Sequence, residues 1–569
     1  MLTLLKAKLA QQIAPALELD SEIFASGLET PKNKEFGQLS FPVFRFSKEK
    51  KMPPPKLAEH WARVIADLNV SEIDDVSSVS GFINLQISST VLQQGIQRSI
   101  FENPETFAES DLGKGKRVVI DFASPNVAKP MSIGHLRATA IGQAVANLCE
   151  AQGFDVVALN HLGDWGTQFG KLAWAYQNWG AEYDFEAQPF DSLFALYVRF
   201  HDEAEKDPQL EQAGAETFRK LESGDQEIVK LWKWFVEVSL EKYDELFSLL
   251  KVKHDKVLGE SFYNDKLKPV VESLKEKGLL IESDGAFVVE MDDEKSPPCL
   301  ITKSDGASLY ATRDLASAIY RREDLGGDQL LYVVGVEQTL HFRQVFEVLQ
   351  KMGYDWSDDC KHIGFGLYRF KDMGKMSSRK GNVIRFADVI EKAIAMVKEV
   401  IEEKNPGLAD KDAVARQVGV GAIVFNDLIN DRVKNVDFDW DQVLDFEGNS
   451  GPYVQYCNVR CLSLLRKAGV ENHDLEFDAI LSSFEERELM RLVLSFDQVL
   501  FDAYQHFKPH VLSGYLLDLC RQFSSFYAKE RILDAPEAEK VSRLALARAV
   551  NMVLEKGLGI LNIEAPSQM

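Results

Sequence analysis

The sequence predicts an α/β protein. A doubly wound parallel-sheet (Rossmann-like) domain carries a helical insertion, between a small N-terminal α+β domain and an all-α C-terminal domain. Three observations lead there. Residues 111–385 alternate short β-branched runs with helical spacing, the pattern of a parallel sheet with crossover helices. Between about 181 and 257 the chain turns long, charged and helical in period. From 386 to 569 almost every stretch has helical spacing.

Taken in order, residues 1–110 open with MLTLLKAKLAQQIAPAL. Lys6, Lys8, Gln11 and Gln12 break its apolar run at helical spacing, so it reads as an amphipathic helix rather than a signal peptide. Lys48, Lys50 and Lys51 beside Phe41, Phe44 and Phe46 fit a solvated turn over a phenylalanine core better than an RNA-facing surface. In the sheet domain the strand candidates are RVVIDFA, DVVALN, QLLYVVGV and HIGFGLY.

A chain of 569 residues suits several domains, and no run of apolar residues is long enough to span a membrane. Six cysteines form no CxxC pair, which supports neither a zinc site nor a disulfide framework and suggests the cytoplasm. Cys457 and Cys461, four apart on a helix, read as core packing. A net charge of −23 argues against a nucleic-acid partner globally, although a local basic strip suffices to hold phosphates.

Two loops carry the chemistry. KPMSIGHLRATAIG, residues 129–142, joins a strand to a helix and places Gly134 and His135 in the helix's first turn. Unpaired N–H groups and the helix dipole favour an anion there, and histidine adds a donor. An ordinary βα turn also explains it. FKDMGKMSSRKGNVIRF, residues 370–386, sets Lys371, Lys375, Arg379 and Lys380 around Ser377 and Ser378. Such a loop suits a polyphosphate, and equally a basic surface turn.

Together, IGH and KMSS in a split doubly wound sheet resemble the His-Ile-Gly-His and Lys-Met-Ser-Lys-Ser signatures of class I aminoacyl-tRNA synthetases. SPNVAKPMSIGHLRATAIG, NHLGDWGTQFGKL, GESFYND, LYATRDLASA, EQTLHFRQVFEVLQKMGY and GILNIEAPSQM narrow the resemblance to the arginyl-tRNA synthetases, from about residue 30 to the end. The resemblance implies an ATP-dependent ligase of arginine and tRNA, with magnesium, acting as a monomer. It implies an N-terminal tRNA-contacting domain at 1–110, a catalytic domain at 111–385 and a helical anticodon-binding domain at 386–569.

Residue by residue, it assigns ATP binding to Ile133, Gly134, His135, Lys375, Met376, Ser377, Ser378 and Lys380. His135, Lys129, Ser132 and Lys375 carry the chemistry. Asn126, Glu260, Tyr310, Asp314 and Gln338 hold arginine; carboxylates and a phenol suit a planar five-donor cation. Tyr453, Tyr456, Arg460, Phe526, Tyr527 and Arg531 are of the kind that hold single-stranded bases. Two departures stand out. Ser132 replaces the first signature histidine, and KMSSR lacks the second lysine, for which Lys129 substitutes ahead of Arg379 or Lys380. The resemblance also implies that tRNA must be present for the first step. A synthetase for another amino acid and a non-catalytic tRNA-binding chain are the alternatives.

Overall fold

The computed structural model describes residues 2–293, 295–303, 310–369, 384–470 and 475–569. At the N-terminus, Leu2–Ile13 is a helix burying Leu2, Leu9, Ala10 and Ile13. An antiparallel sheet follows, with β1 (Leu39–Pro42), β2 (Ile73–Val79) and β3 (Phe82–Ile87) in the order β1-β3-β2. Helix Pro54–Asp67 buries Leu57, Ala58, Trp61 and Ile65, and Trp61 packs against Phe41 and Phe46. These two phenylalanines are core, Phe44 is exposed, and Lys50 pairs with Glu18.

The central sheet is parallel and five-stranded. Its strands are β4 (Arg117–Asp121), β5 (Asp155–Asn160), β6 (Lys256–Val257), β10 (Gln329–Tyr332) and β11 (Cys360–His362), in the order β11-β10-β4-β5-β6. β4 lies in the middle. The chain builds outward from it to β5 and β6, then returns to lay β10 on its other edge. The order therefore reverses between β4 and β10, and a crevice opens at their carboxyl ends. Helix Ile133–Ala151 crosses from β4 to β5 with Leu136, Ile141, Val145 and Leu148 in the core.

Between β5 and β6 stand the helices Thr167–Trp179, Pro189–Ala204, Gln209–Glu222 and Gln226–Leu249. A second antiparallel sheet, β7 (Ile281–Ser283), β8 (Ala286–Val289) and β9 (Cys299–Lys303), is inserted before β10; the sequence reading did not foresee it.

HIGFGLY is not one strand. β11 ends at His362, and β12 (Tyr368–Arg369) leaves the sheet to pair in parallel with β13 (Val436–Asp437). The glycines explain the break: a Cβ at Gly366 would lie 2.6 Å from the Lys434 carbonyl oxygen. From Phe386 onward helices dominate, chiefly Phe386–Lys404, Lys411–Leu428, Gly451–Ala468, Pro509–Lys529 and Glu537–Ile560. Among the described residues, no helix is long and apolar enough to cross a membrane.

Candidate active site

The loop from β4 to helix Ile133–Ala151 forms one wall of the crevice. Three of its non-glycine residues, Ala123, Ser124 and Ala128, have positive φ (72°, 43° and 61°). Each such residue costs on the order of 1–3 kcal/mol unless its surroundings hold it. They do. Ser124 Oγ donates to Asp121 Oδ1 at 3.0 Å, and Asp121 is in turn paired with the buried Arg321 at 2.7 Å. From the helical insertion, Tyr243 donates to the carbonyls of Asn126 (2.6 Å) and Lys129 (2.8 Å). Ser239 Oγ accepts from the Ala128 N–H at 2.9 Å. The insertion is the buttress of this loop.

Ser132 is the N-cap of the crossover helix. Its backbone N–H donates to His135 Nδ1 at 2.9 Å, and its Oγ lies 2.9 Å from the same nitrogen. Nδ1 is thereby an acceptor, which leaves the ring proton on Nε2. Burial, and secondarily the Lys129 cation, pull His135 down to about 4. At neutral pH the ring is uncharged and offers one N–H at a helix N-terminus. Ile133 is buried, whereas a Cβ on Gly134 would meet only Ser132 Oγ, at 3.5 Å. The backbone there is open to a phosphate.

Lys129 Nζ donates to Gln168 Oε1 at 2.9 Å and lies 4.7 Å from the Tyr197 ring centre. Ile133 N–H donates to the Ile384 carbonyl (3.1 Å) and Phe386 N–H to the Met131 carbonyl (2.9 Å). Residues 384–386 are thus tied to the start of the signature helix. Lys371, Lys375, Met376, Ser377, Ser378, Arg379 and Lys380 lie outside the described residues.

The other half of the crevice is acidic. Glu260 starts the short helical turn Glu260–Lys266, and Asp314 sits on helix Tyr310–Glu323. Asp164 is buried beneath Glu260 and pins its loop, accepting from Ser261 N–H (2.8 Å) and Ser261 Oγ (2.6 Å). Burial pushes Glu260 up to about 7; Arg313 opposes this, and the charges of Asp164 and Asp314 add to it. Arg313 gives its donors to neutral acceptors, the Glu260 carbonyl and Asn264 Oδ1. Among the described residues, no hydrogen bond reaches the Glu260 carboxylate. Asp314 Oδ2 is held by His341 Nε2 at 2.5 Å. Among the described residues no lysine or arginine forms an ion pair with Glu260 or Asp314, so the pocket has room for a planar cation.

Of the remaining arginine-pocket expectations, Asn126 is exposed at the rim and stands over Gly163, where a Cβ would lie 2.4 Å from Asn126 Oδ1. Gln338 is exposed at the start of helix Thr339–Lys351, one turn before His341. Tyr310 is 76% exposed and one helical turn from Asp314. Asp164, Ser261, His341 and Tyr243 were not singled out from the sequence. Asp164 and His341 lie inside NHLGDWGTQFGKL and EQTLHFRQVFEVLQKMGY, which would have pointed to them.

In the helical region a cavity of about 540 Å³ is lined by Val414, Val418, Tyr453, Tyr456, Arg460 and Met569, among others. The Arg460 guanidinium lies 5.0 Å from the Tyr456 ring centre and 5.5 Å from that of Tyr527. Tyr456 and Tyr527 are both exposed. Phe526 is not among them: it is fully buried, because its face of helix Pro509–Lys529 packs into the core. Arg531 is exposed, and its carbonyl accepts from Arg543. In the N-terminal domain a cavity of about 330 Å³ is lined by Asn33, Phe36, Phe82 and Asn84, among others. Asn84 Nδ2 there is buried without a hydrogen-bond partner.

Comparison with known proteins finds the same three-part order. The family described as "tRNA synthetases class I (R), catalytic domain" matches residues 98–440. "DALR anticodon binding domain" matches 454–569, and "Arginyl tRNA synthetase N terminal domain" matches 3–87. The chain is 43% identical over 566 residues to an arginine–tRNA ligase of Clostridium botulinum, covering 99% of this chain and 100% of that one. It is 44% identical over 552 residues to arginine–tRNA ligase 2 of Bacillus anthracis, covering 97% of each. Among solved structures, Thermus thermophilus arginyl-tRNA synthetase superposes with a TM-score of 0.84 at 25% identity, covering 99% of this chain and 100% of that one.

Proposed function

The chain belongs to the arginyl-tRNA synthetase family, and on that premise we propose how its crevice joins arginine to tRNA. The enzyme is an arginine–tRNA ligase: ATP activates the amino acid and tRNA receives it. One observation carries the division of labour. A neutral, fixed N–H donor and an undercompensated acidic pocket face one switch-point crevice.

The acidic half takes the guanidinium. Asp314 and Glu260 supply acceptors, Asn126 and Gln338 offer amides at the rim, and Tyr310 shares a helix face with Asp314. The substrate's cation supplies the charge that the pocket lacks. The other half takes ATP. The backbone of Ile133 and Gly134 and the Nε2–H of His135 meet the phosphates. When the arginine carboxylate attacks the α-phosphate, negative charge grows there, and a donor already fixed by Ser132 needs no reorganisation. Pyrophosphate leaves. The ribose 2′-hydroxyl of the terminal tRNA adenosine then attacks the carbonyl carbon of the resulting arginyl-adenylate, forming the ester as AMP leaves.

Lys129 is the cation we assign to the work of the missing second signature lysine. Its charge already reaches His135. Lys375, with Met376, Ser377, Ser378 and Lys380, is assigned to the pyrophosphate end by its match to the family signature. Magnesium enters as the counter-ion of ATP; among the described residues no group of three acidic, histidine or cysteine side chains is placed to hold a metal.

The tRNA is read at both ends of the molecule. The cavity beside Tyr453, Tyr456 and Arg460 has the aromatic and cationic lining that stacks unpaired bases. The N-terminal cavity, with Phe36 beside amides, suits a second one. In this reading the domains divide near 110 and 386. Six free, buried cysteines suit a reducing compartment, and we read the enzyme as a cytoplasmic monomer. Size-exclusion chromatography with light scattering tests the monomer. Arginylation of tRNA by the purified chain, followed by amino-acid analysis of the ester, tests the function; an ester of another amino acid would overturn it.

A further inference from the structure

We propose that Arg137, Asp427 and Tyr368 form a buried joint through which the helical domain sets the position of the signature helix. They would thereby link tRNA contact at the far groove to the chemistry at His135. The joint rests on the reading that the helical domain binds tRNA.

Arg137 lies two residues beyond His135 on the same helix and is fully buried. Both terminal nitrogens of its guanidinium are hydrogen-bonded, and its Nε faces a carboxylate. Nε lies 3.3 Å from Asp427 Oδ1, Nη1 donates to the Gly366 carbonyl at 2.9 Å and Nη2 to the Arg432 carbonyl at 3.1 Å. Its carbon Cζ stands 5.7 Å from the ring centre of Tyr368, itself buried, and the Tyr368 hydroxyl lies beside Asp427: burial first, and then that carboxylate, hold the hydroxyl protonated. From the helical side Arg432 closes the same strap: Nη1 donates to the Gly364 carbonyl at 2.6 Å, and its own carbonyl accepts from Gly366 N–H at 2.8 Å. β12 then pairs with β13. Catalytic sheet, signature helix and helical domain thus meet in one knot.

The other end of the joint reaches the groove. Asp427 is near the end of helix Lys411–Leu428. Val414 and Val418, near its start, line the cavity with Tyr453, Tyr456 and Arg460. From Val414 to Asp427 a helix spans roughly 20 Å. Gln455, on the helix bearing Tyr453 and Tyr456, donates to the Gln417 carbonyl at 3.1 Å, so the two helices are bonded near the groove. A tilt imposed there arrives at Asp427 as a displacement of the carboxylate facing Arg137.

Physical cost argues for a positioning role. A buried ion pair yields little net stability against an apolar replacement, yet it enforces one register, because a displaced charge is left unpaired. Burial raises Asp427 to about 6 even beside Arg137, which shows how little solvent helps it. An arrangement that tolerates one geometry transmits movement instead of absorbing it.

The test compares two substrates: an arginine tRNA transcript and the same transcript with its anticodon loop replaced. Wild-type enzyme charges the second more slowly. In Asp427→Asn and in the milder Tyr368→Phe, kcat on the intact tRNA falls about tenfold, the scale of measured couplings, while kcat on the loop-replaced tRNA changes less than about twofold. The penalty for the wrong loop therefore collapses. Thermal melting by circular dichroism accompanies both variants, and Tyr368→Phe carries the test if Asp427→Asn does not fold. Equal losses on both substrates, or no loss on either, would overturn the joint. A wild-type enzyme indifferent to the loop would instead overturn the reading of the helical domain, and this proposal with it.

Discussion

The two halves of the crevice solve opposite problems. Around His135 the phosphate half is preorganised: a backbone N–H fixes the His135 tautomer, burial keeps the ring neutral, and the helical insertion clamps the loop. The amino-acid half is charged and unfinished. Burial raises Glu260 to about 7, no hydrogen bond reaches its carboxylate among the described residues, and Arg313 is turned toward neutral acceptors. The lesson is that preorganisation is placed where charge appears during the reaction. Incompleteness is placed where the substrate itself brings the charge.

Breaking the unfinished half costs most. Asp314→Ala removes the carboxylate that His341 orients and leaves Glu260 to meet a buried cation alone. We expect kcat/KM for arginine to fall on the order of 10³-fold, mainly through KM, as for truncating one partner of a buried charged pair. Steady-state arginylation reads it. Breaking the finished half shows in the other constant. His135→Ala lowers kcat on the order of 10²-fold, the usual cost of one lost transition-state donor, and leaves KM for arginine within about threefold.

A pH series sharpens the contrast. Glu260 stands at about 7, so below that pH it is increasingly protonated and loses the charge that a guanidinium needs. KM for arginine rises as pH falls from 8 to 6, approaching about tenfold per unit at the acid end. His135, at about 4, stays neutral throughout, so kcat keeps no histidine step in that window. The smallest effect is at Ser132. The bond that fixes the tautomer comes from its backbone, so Ser132→Ala costs less than about threefold in kcat. Ser132→His likewise changes turnover little.

What the sequence showed divides along physical lines. β4, β5 and β10 were legible because buried parallel strands read as continuous apolar runs. β6 is two exposed residues, Lys256 and Val257, β7 is three exposed residues, and β8 and β9 are largely apolar runs of only four and five residues, too short to show a period. HIGFGLY misled because its apolar content masks two glycines that turn the chain. His135 was legible because a helix start and its histidine are local. The hold of Asp164 on Ser261 was not, because the two are 97 residues apart in sequence. Phe526 and Tyr527 are neighbours on one helix, and helical period alone could not say that the first faces the core and the second the solvent.

The most direct test of the central claim is amino-acid-dependent ATP–pyrophosphate exchange, run over all twenty amino acids with and without tRNA. The account predicts exchange with arginine alone, and a rate near zero until tRNA is added. Exchange driven by another amino acid would contradict the pocket built on Asp314 and Glu260, and comparable arginine rates with and without tRNA would contradict the dependence on tRNA.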